Sequence, residues 1–275
     1  MAPSAPALGL QELAPGVRGF RLGQGPPIVW LHGLLGWAEQ WSAAAAPLAA
    51  DHTCWLLELP GIGVSRAVPD SSLAGLAAWL ADAVAALGFA QFDLVGASWG
   101  GAVALQFASV PARAARLRRL ALAAPANPFW RPSRRQRFML TPSVTRLAAA
   151  VGARLPDGVC RALLATNFGD PAVVTDERVA QYRAVLARPG LGAAVANAAR
   201  HWRRDQDALR ALLPAVTVPT LLVWGDRDWV VPVASAQPLR QALPQAELTL
   251  LPGLGHLPFE ENPAAFTALL RRFLT

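Results

Sequence analysis

Ser98 stands in Gly96-Ala97-Ser98-Trp99-Gly100-Gly101, between an apolar run, Phe92 to Val95, and a helix-forming stretch, Gly100 to Ser109. A serine flanked by glycines at a strand-to-helix junction is held on a sharp turn with its hydroxyl exposed. Such a hydroxyl can attack a carbonyl carbon, but only with a base within hydrogen-bond reach. Without that base, the same residues describe a helix start capped by Ser98. The chain has four histidines. His256 closes Leu251-Pro252-Gly253-Leu254-Gly255-His256, a glycine-rich loop after the apolar run 247–251. His52 precedes a strand-like run and His201 lies on a helical one, so His256 is the expected base.

An imidazole acting as base needs an acceptor that orients it and stabilises its cation. Gly225-Asp226-Arg227-Asp228 follows the apolar run Thr220 to Trp224 and offers two acids, Asp226 and Asp228. Asp226 is well placed to cap the turn locally, and spacing alone does not choose between them. Acyl transfer also needs two backbone N–H groups aimed at the oxyanion, each contributing roughly 3–4 kcal/mol to the transition state. The glycine-flanked loop His32-Gly33-Leu34-Leu35-Gly36 is expected to supply the Leu34 N–H, and the residue after the nucleophile, Trp99, the second. His32 itself is expected to pack the loop.

Short apolar runs must carry these loops. Val17 to Leu22, Ile28 to Leu31, Thr53 to Leu57, Phe92 to Val95, Leu117 to Leu122, Thr220 to Trp224 and 247–251 read as strands. Helical stretches fall between them: Trp37 to Leu48, the i/i+3/i+4 repeat Leu73, Leu76, Leu80, Val84, Leu87, then 233–242 and 263–274. Ser71 or Ser72 can cap the Leu73 helix and Gly88 ends it. Alternating strand and helix calls for an α/β fold, a mostly parallel central sheet flanked by helices. Residues 127–205 break the rhythm, with helical stretches near 143–153, 158–167, 175–187 and 191–203 and no strand. The expected organisation is a core of residues 1–126 and 206–275 with a helical cap insertion at 127–205.

His32-Gly33, Gly96-x-Ser98-x-Gly100, Gly225-x-x-Asp228 with Pro232, and Gly255-His256 together resemble the signature set of the α/β-hydrolase superfamily, over residues 15–275. The loop Glu58-Leu59-Pro60-Gly61-Ile62-Gly63-Val64-Ser65 resembles another of its loops, usually written with Asp where Glu58 stands. The resemblance implies an α/β-hydrolase fold, a Ser98–Asp228–His256 triad and the choice of Asp228 over Asp226. Haloalkane dehalogenases and epoxide hydrolases carry Asp at the nucleophile position, so Ser98 argues against alkyl-enzyme chemistry. The run Ser98-Trp99-Gly100-Gly101 resembles proline iminopeptidases, but those hold the substrate ammonium with acidic cap residues, and this cap is acid-poor. What remains is the capped carboxylesterase branch. The expected reaction is hydrolysis of a carboxylic ester through an acyl-enzyme on Ser98. Hydrolysis of a carbon–carbon bond or of a carrier-protein- or coenzyme A-linked acyl ester with the same residues, and a non-catalytic ligand-binding role, are the alternatives.

Composition bounds the rest. A chain of 275 residues with 53% hydrophobic and 16% charged residues suits a large buried core. Cys54 and Cys160 show no metal-ligand spacing, are expected to be free thiols, and no cofactor or metal is called for. The start of the chain, Met1 to Gly9, lacks a basic residue and an apolar run, and Leu73 to Leu87 is short and interrupted by Asp82, so a cytoplasmic address without a membrane span is expected. The net charge of +7 comes from arginine alone. Residues 127–205 hold 13 Arg against 5 acids, a net of +8, while the remainder is near neutral at −1. Arg131, Arg134, Arg135 and Arg137 form the densest group, and Arg200, Arg203 and Arg204 a second. A solvated face is the plain reading. The sharper one is an anionic substrate or an acidic carrier protein, by resemblance to pimeloyl-carrier-protein methyl ester esterases. No nucleic-acid module is present. For the pocket of a small acyl substrate, Trp37, Trp130 and Phe138 are the candidate lining residues; Trp37 and Trp99 adjoin the expected oxyanion loops, while Phe129, Trp130, Phe138, Leu163, Phe168 and Trp202 could line the pocket or form the core of the cap.

Overall fold

A computed structural model describes residues 9–61, 68, 70–132, 134–139, 141, 143, 144, 147, 151, 152 and 154–275. Ile62 to Ser65 of the Glu58 loop, and most of the expected 143–153 helix, lie outside the described residues.

The strands are β1 (Gln11–Ala14), β2 (Val17–Leu22), β3 (Pro27–Leu31), β4 (Thr53–Leu57), β5 (Phe92–Ala97), β6 (Leu117–Ala123), β7 (Thr220–Gly225) and β8 (Ala246–Leu251). They form one eight-stranded sheet in the order β1-β2-β4-β3-β5-β6-β7-β8. β2 pairs antiparallel with both β1 and β4, and every pair from β4 to β8 is parallel. The central strands β3, β5 and β7 are buried along almost their whole length, as parallel strands covered by helices on both faces must be. Trp30, Trp41, Trp224, Phe92 and Phe107 fill the space between sheet and helices.

Register positions the site. Leu31 lies opposite both Leu57 and Gly96, Ala97 opposite Ala123, and Gly225 opposite Leu251. The carboxyl ends of the parallel strands are therefore flush, and the loops starting at His32, Glu58, Ser98, Asp226 and Pro252 all emerge at one edge. Ligands of open α/β sheets bind at that edge.

Three element expectations shift. β1 is an added hairpin strand whose four residues, Gln11–Ala14, show no alternation; the turn into β2 is made by Gly16 at φ +73°. The stretch expected as one helix from Trp37 is broken into a 3-10 turn (Ala38–Trp41), one α-turn (Ser42–Ala45) and a second 3-10 turn (Ala46–Ala50) that carries Pro47. The helix after β5 begins at Ser98, before Gly100.

Between β6 and β7 the described residues form helices only. The main ones are Asp157–Ala165, Asp176–Leu186 and Leu191–Leu212, the last running past residue 205 without a break. This segment between β6 and β7 is fastened to the rest of the fold at several points. Asp205 accepts the first N–H of the Leu73–Ala86 helix at 2.9 Å, and Ser72 caps the same helix through Gly75 N–H at 3.2 Å. Arg188 reaches buried Glu58 at 3.4 Å. Among the described residues no helix is long and apolar enough to cross a membrane, and both cysteines are free and buried.

Candidate active site

Ser98 has φ +50°, the left-handed region that costs a non-glycine residue roughly 1–2 kcal/mol. Close packing holds it there. A Cβ on Gly100 would lie 2.5 Å from the carbonyl oxygens of Leu31 and His32, and one on Gly96 would lie 2.8 Å from the Gly100 oxygen. The bare backbone lets the start of the Ser98–Ala108 helix press against the end of β3. The Ser98 carbonyl is tied down by Ala126 N–H at 2.9 Å. Its half-exposed side chain sits against Gly33, with Oγ 3.8 Å from where a Gly33 Cβ would stand.

The His32 loop is braced from within. His32 is fully buried; its Nδ1 donates to Gly33 O at 2.7 Å and its Nε2 accepts from Leu59 N–H at 3.0 Å. Both ring nitrogens are thus engaged in holding the loop. Gly33 O also accepts Gly36 N–H at 3.0 Å. In a trans peptide the N–H points opposite to the carbonyl, so the Leu34 N–H is directed away from the His32 ring. Trp99 lies in the first turn of its helix, where backbone N–H groups have no intrahelical acceptor.

His256 and Asp228 meet in the interior. Nδ1 of His256 lies 2.8 Å from Asp228 Oδ2, with the two side chains 5% and 0% exposed. Asp228 Oδ1 accepts Val230 N–H at 2.8 Å and Val231 N–H at 2.9 Å. A carboxylate acceptor places the imidazole proton on Nδ1 and leaves Nε2 with a lone pair. Asp226 is exposed and does other work: its Oδ1 accepts Gly253 N–H at 2.7 Å, joining the loops after β7 and β8.

No hydrogen bond joins Ser98 Oγ to His256 among the described residues. Both residues follow strands at the same edge of the sheet. Phe259 stacks on Trp41, ring centroids 3.8 Å apart, and Trp41 belongs to the segment after β3. Phe259 lies three residues after His256, so this contact joins the loop after β8 to the segment after β3.

Of the expected pocket residues, Trp37 is buried edge-on against Tyr182, centroids 5.1 Å apart, and Trp130 is half-buried against Trp202 at 4.8 Å. Trp202 in turn lies 6.1 Å from Trp99. Phe138 does not join them. It is 64% exposed because its short helix, Arg134–Met139, is tied through Gln136 Nε2 to the carbonyls of Trp229 and Val230, leaving Phe138 outward. Leu163, expected in the cap core, is also exposed, whereas Phe168 is buried.

A set of buried polar groups with little local sequence signature surrounds these loops. Glu58 accepts Ala38 N–H at 3.1 Å and faces His32 and Arg188. Burial pushes its carboxyl up, but His32, Arg188 and the Ala38 N–H outweigh burial and hold it below the usual range. Glu260 accepts from Tyr182 OH at 2.8 Å and from Gln40, and pairs with Arg178 at 3.3 Å. Burial pushes Glu260, and Tyr182 beside it, upward. The one signal in the sequence was the pair of acids shortly after His256. Among the described residues no cluster of His, Cys, Asp or Glu could hold a metal ion.

A hydroxyl on a strained turn and a buried imidazole oriented by a carboxylate are two of the parts needed for acyl transfer. Comparison with known proteins gives the family. The family model for the alpha/beta hydrolase fold matches residues 26–263. A pimeloyl-[acyl-carrier protein] methyl ester esterase of Aeromonas salmonicida is 32% identical, the match covering 92% of this chain and 97% of that protein. The structure of a thermophilic esterase from Thermogutta terrifontis superposes with a TM-score of 0.74 at 26% identity, over 94% of this chain and 92% of that one. A meta-cleavage product hydrolase from Pseudomonas fluorescens, at 22% identity and a TM-score of 0.80 over 97% of both chains, shares the fold.

Proposed function

Because the chain belongs to the alpha/beta hydrolase fold family and is a hydrolase, we propose that it cleaves carboxylic esters with Ser98 as nucleophile, His256 as general base and Asp228 as the group that orients it. The buried 2.8 Å contact between His256 and Asp228 carries this reading, since it leaves Nε2 as the one basic ring nitrogen. Ser98 Oγ attacks the ester carbonyl carbon while its proton passes to His256 Nε2. The carbonyl oxygen takes the negative charge and is received by the N–H groups of Leu34 and Trp99. Collapse breaks the carbon–alkoxide bond, and the proton on Nε2 leaves with the alcohol. Water then repeats the sequence: its proton goes to Nε2, its oxygen joins the acyl carbon, and Ser98 recovers its proton as the acid departs.

The inserted segment is read as a cap over this edge, and its arginines as the docking surface for an anionic partner. The relative named as a carrier-protein ester hydrolase supports an acidic acyl carrier as that partner. An open cavity of about 410 Å³ lies at the base of the segment, with Phe129, Trp130, Arg131, Arg210, Pro232 and Ser235 among its lining. Arg210 is fixed over Phe129, its Cζ 4.7 Å from the ring centroid, and Arg131 is exposed. A cytoplasmic address accords with two free buried thiols.

Incubation with a fluorophosphonate, followed by mass spectrometry of the intact and digested protein, tests the catalytic reading. One adduct on Ser98 is expected, with none on Ser98→Ala. A wild-type protein that stays unlabelled at neutral pH, or is labelled elsewhere, sinks it. Turnover of p-nitrophenyl esters from acetate to laurate then gives the acyl length, and a vinylogous diketone serves as the carbon–carbon comparison.

A further inference from the structure

The carboxylate of Glu261 holds two parts of the molecule at once. Its Oε1 accepts Gly255 N–H at 2.5 Å, and its Oε2 accepts Gly169 N–H at 2.8 Å and Asp170 N–H at 3.4 Å. Gly255 immediately precedes His256, whereas Gly169 and Asp170 belong to the inserted segment. The N–H of His256 itself donates to Asn167 O at 2.7 Å. Two successive N–H groups of the His256 loop are therefore held by acceptors that lie in the inserted segment or are shared with it.

Packing at this junction is correspondingly close. A Cβ on Gly255 would stand 2.6 Å from Asn167 O, Gly169 N and Phe168 C, and one on Gly169 would stand 2.0 Å from Gly253 O. Glycine on both sides lets the two backbones touch. Arg178, packed over Phe168 with 5.1 Å from its Cζ to the ring centroid, adds its positive charge beside Glu260 and Glu261.

We propose that Glu261 is a positioning residue for His256, and that it couples docking of the inserted segment to the orientation of the imidazole. The inference rests on the reading of His256 as general base. Anchoring the N–H groups of residues 255 and 256 sets the backbone from which the imidazole projects. Releasing them lets the ring drift, and a misplacement of about 1 Å can cost on the order of a hundredfold in rate. A carboxylate suits the task because each oxygen accepts a different N–H. Glutamine keeps the shape but turns an NH2 toward one of those donors.

The test compares wild type, Glu261→Gln and Glu261→Ala, with competent serines counted by fluorophosphonate stoichiometry and the His256 Nδ1 proton followed by NMR in substrate-free protein. A merely structural role lowers the number of competent serines. A positioning role lowers the rate of each. We expect kcat per titrated serine to fall roughly tenfold in Glu261→Gln and a hundredfold in Glu261→Ala, with KM within about threefold, and the Nδ1 resonance to shift or broaden. Should Glu261→Ala fail to fold, Glu261→Gln carries the test. Wild-type kcat per titrated serine together with an unmoved resonance overturns the inference while leaving the catalytic reading intact. A wild-type protein that never reacts at Ser98 overturns both.

Discussion

Asp228 divides its two oxygens between tasks: one takes the Val230 and Val231 N–H groups, the other the imidazole. In Asp228→Asn, the amide oxygen would keep the backbone donors and the NH2 would face Nδ1. That favours the tautomer with its proton on Nε2, which cannot accept one from Ser98. We expect kcat for an ester to fall by about 10³–10⁴ with the melting temperature little changed, as kinetics and thermal unfolding of the same sample would show. Asp226→Ala, by contrast, loses only the brace to Gly253 and should keep most of its kcat. Cys54 offers a control on the interior. Burial pushes its thiol up to about 12, so native protein at pH 8 should leave Cys54 unalkylated by iodoacetamide, and rapid native labelling there would contradict the packing.

The glycines at strand ends act on whole elements. Gly100→Ala drives a Cβ into two carbonyl oxygens at 2.5 Å; it should destabilise the protein by roughly 2–3 kcal/mol and slow fluorophosphonate labelling, because the helix that carries Ser98 must move away from β3. Asp205→Ala removes a cap supplied across the chain and should cost about 1 kcal/mol, a fall of roughly 2–4 °C in melting temperature. Glu58 ties the His32 loop, Ala38 and Arg188 together, and its carboxyl is held below its ordinary 4.5. A depressed carboxylate adds stability that is present above that value and lost as pH falls through its folded pKa. The advantage of wild type over Glu58→Gln in chemical denaturation should therefore shrink on acidification below pH 4.5. The long amphipathic helix Leu73–Ala86 and the buried parallel strands were legible because their periodicity is local. β1 and the broken stretch after Trp37 were not. One has four residues without alternation, and in the other Pro47 interrupts the helical register.

Across the whole molecule the positive excess sits in one segment, +8 within residues 127–205 against −1 elsewhere. Such a field draws anionic ligands and weakens with salt, since charges more than about 8–10 Å apart are screened at physiological ionic strength. Arg131, Arg134 and Arg137 are exposed. Changing all three to Ser should lower kcat/KM for an ester on an acidic carrier protein roughly tenfold or more at low salt, less in high salt, and leave a neutral p-nitrophenyl ester unaffected. Equal kcat/KM for the carrier-bound ester in both proteins would reduce the arginines to a solvated face.

Local patterns along the chain are sufficient to say which residues stand at the ends of which strands. Strand alternation, helical spacing and glycine turns are properties of neighbouring residues, and flush parallel strands then carry every such loop to one edge. That was enough to place Ser98, His256, the two acids and the His32 loop after strand ends at one edge of the sheet. Long-range packing, by contrast, sets that Asp228 reaches the imidazole while Asp226 braces Gly253, that Phe138 faces outward, and that Glu58 and Glu261 tie the strand-end loops to the segment between β6 and β7. Those outcomes depend on hydrogen bonds between residues far apart in the chain, such as Gly169 and Glu261 or Arg188 and Glu58. Their geometry is set by how loops close in space, which no local spacing records.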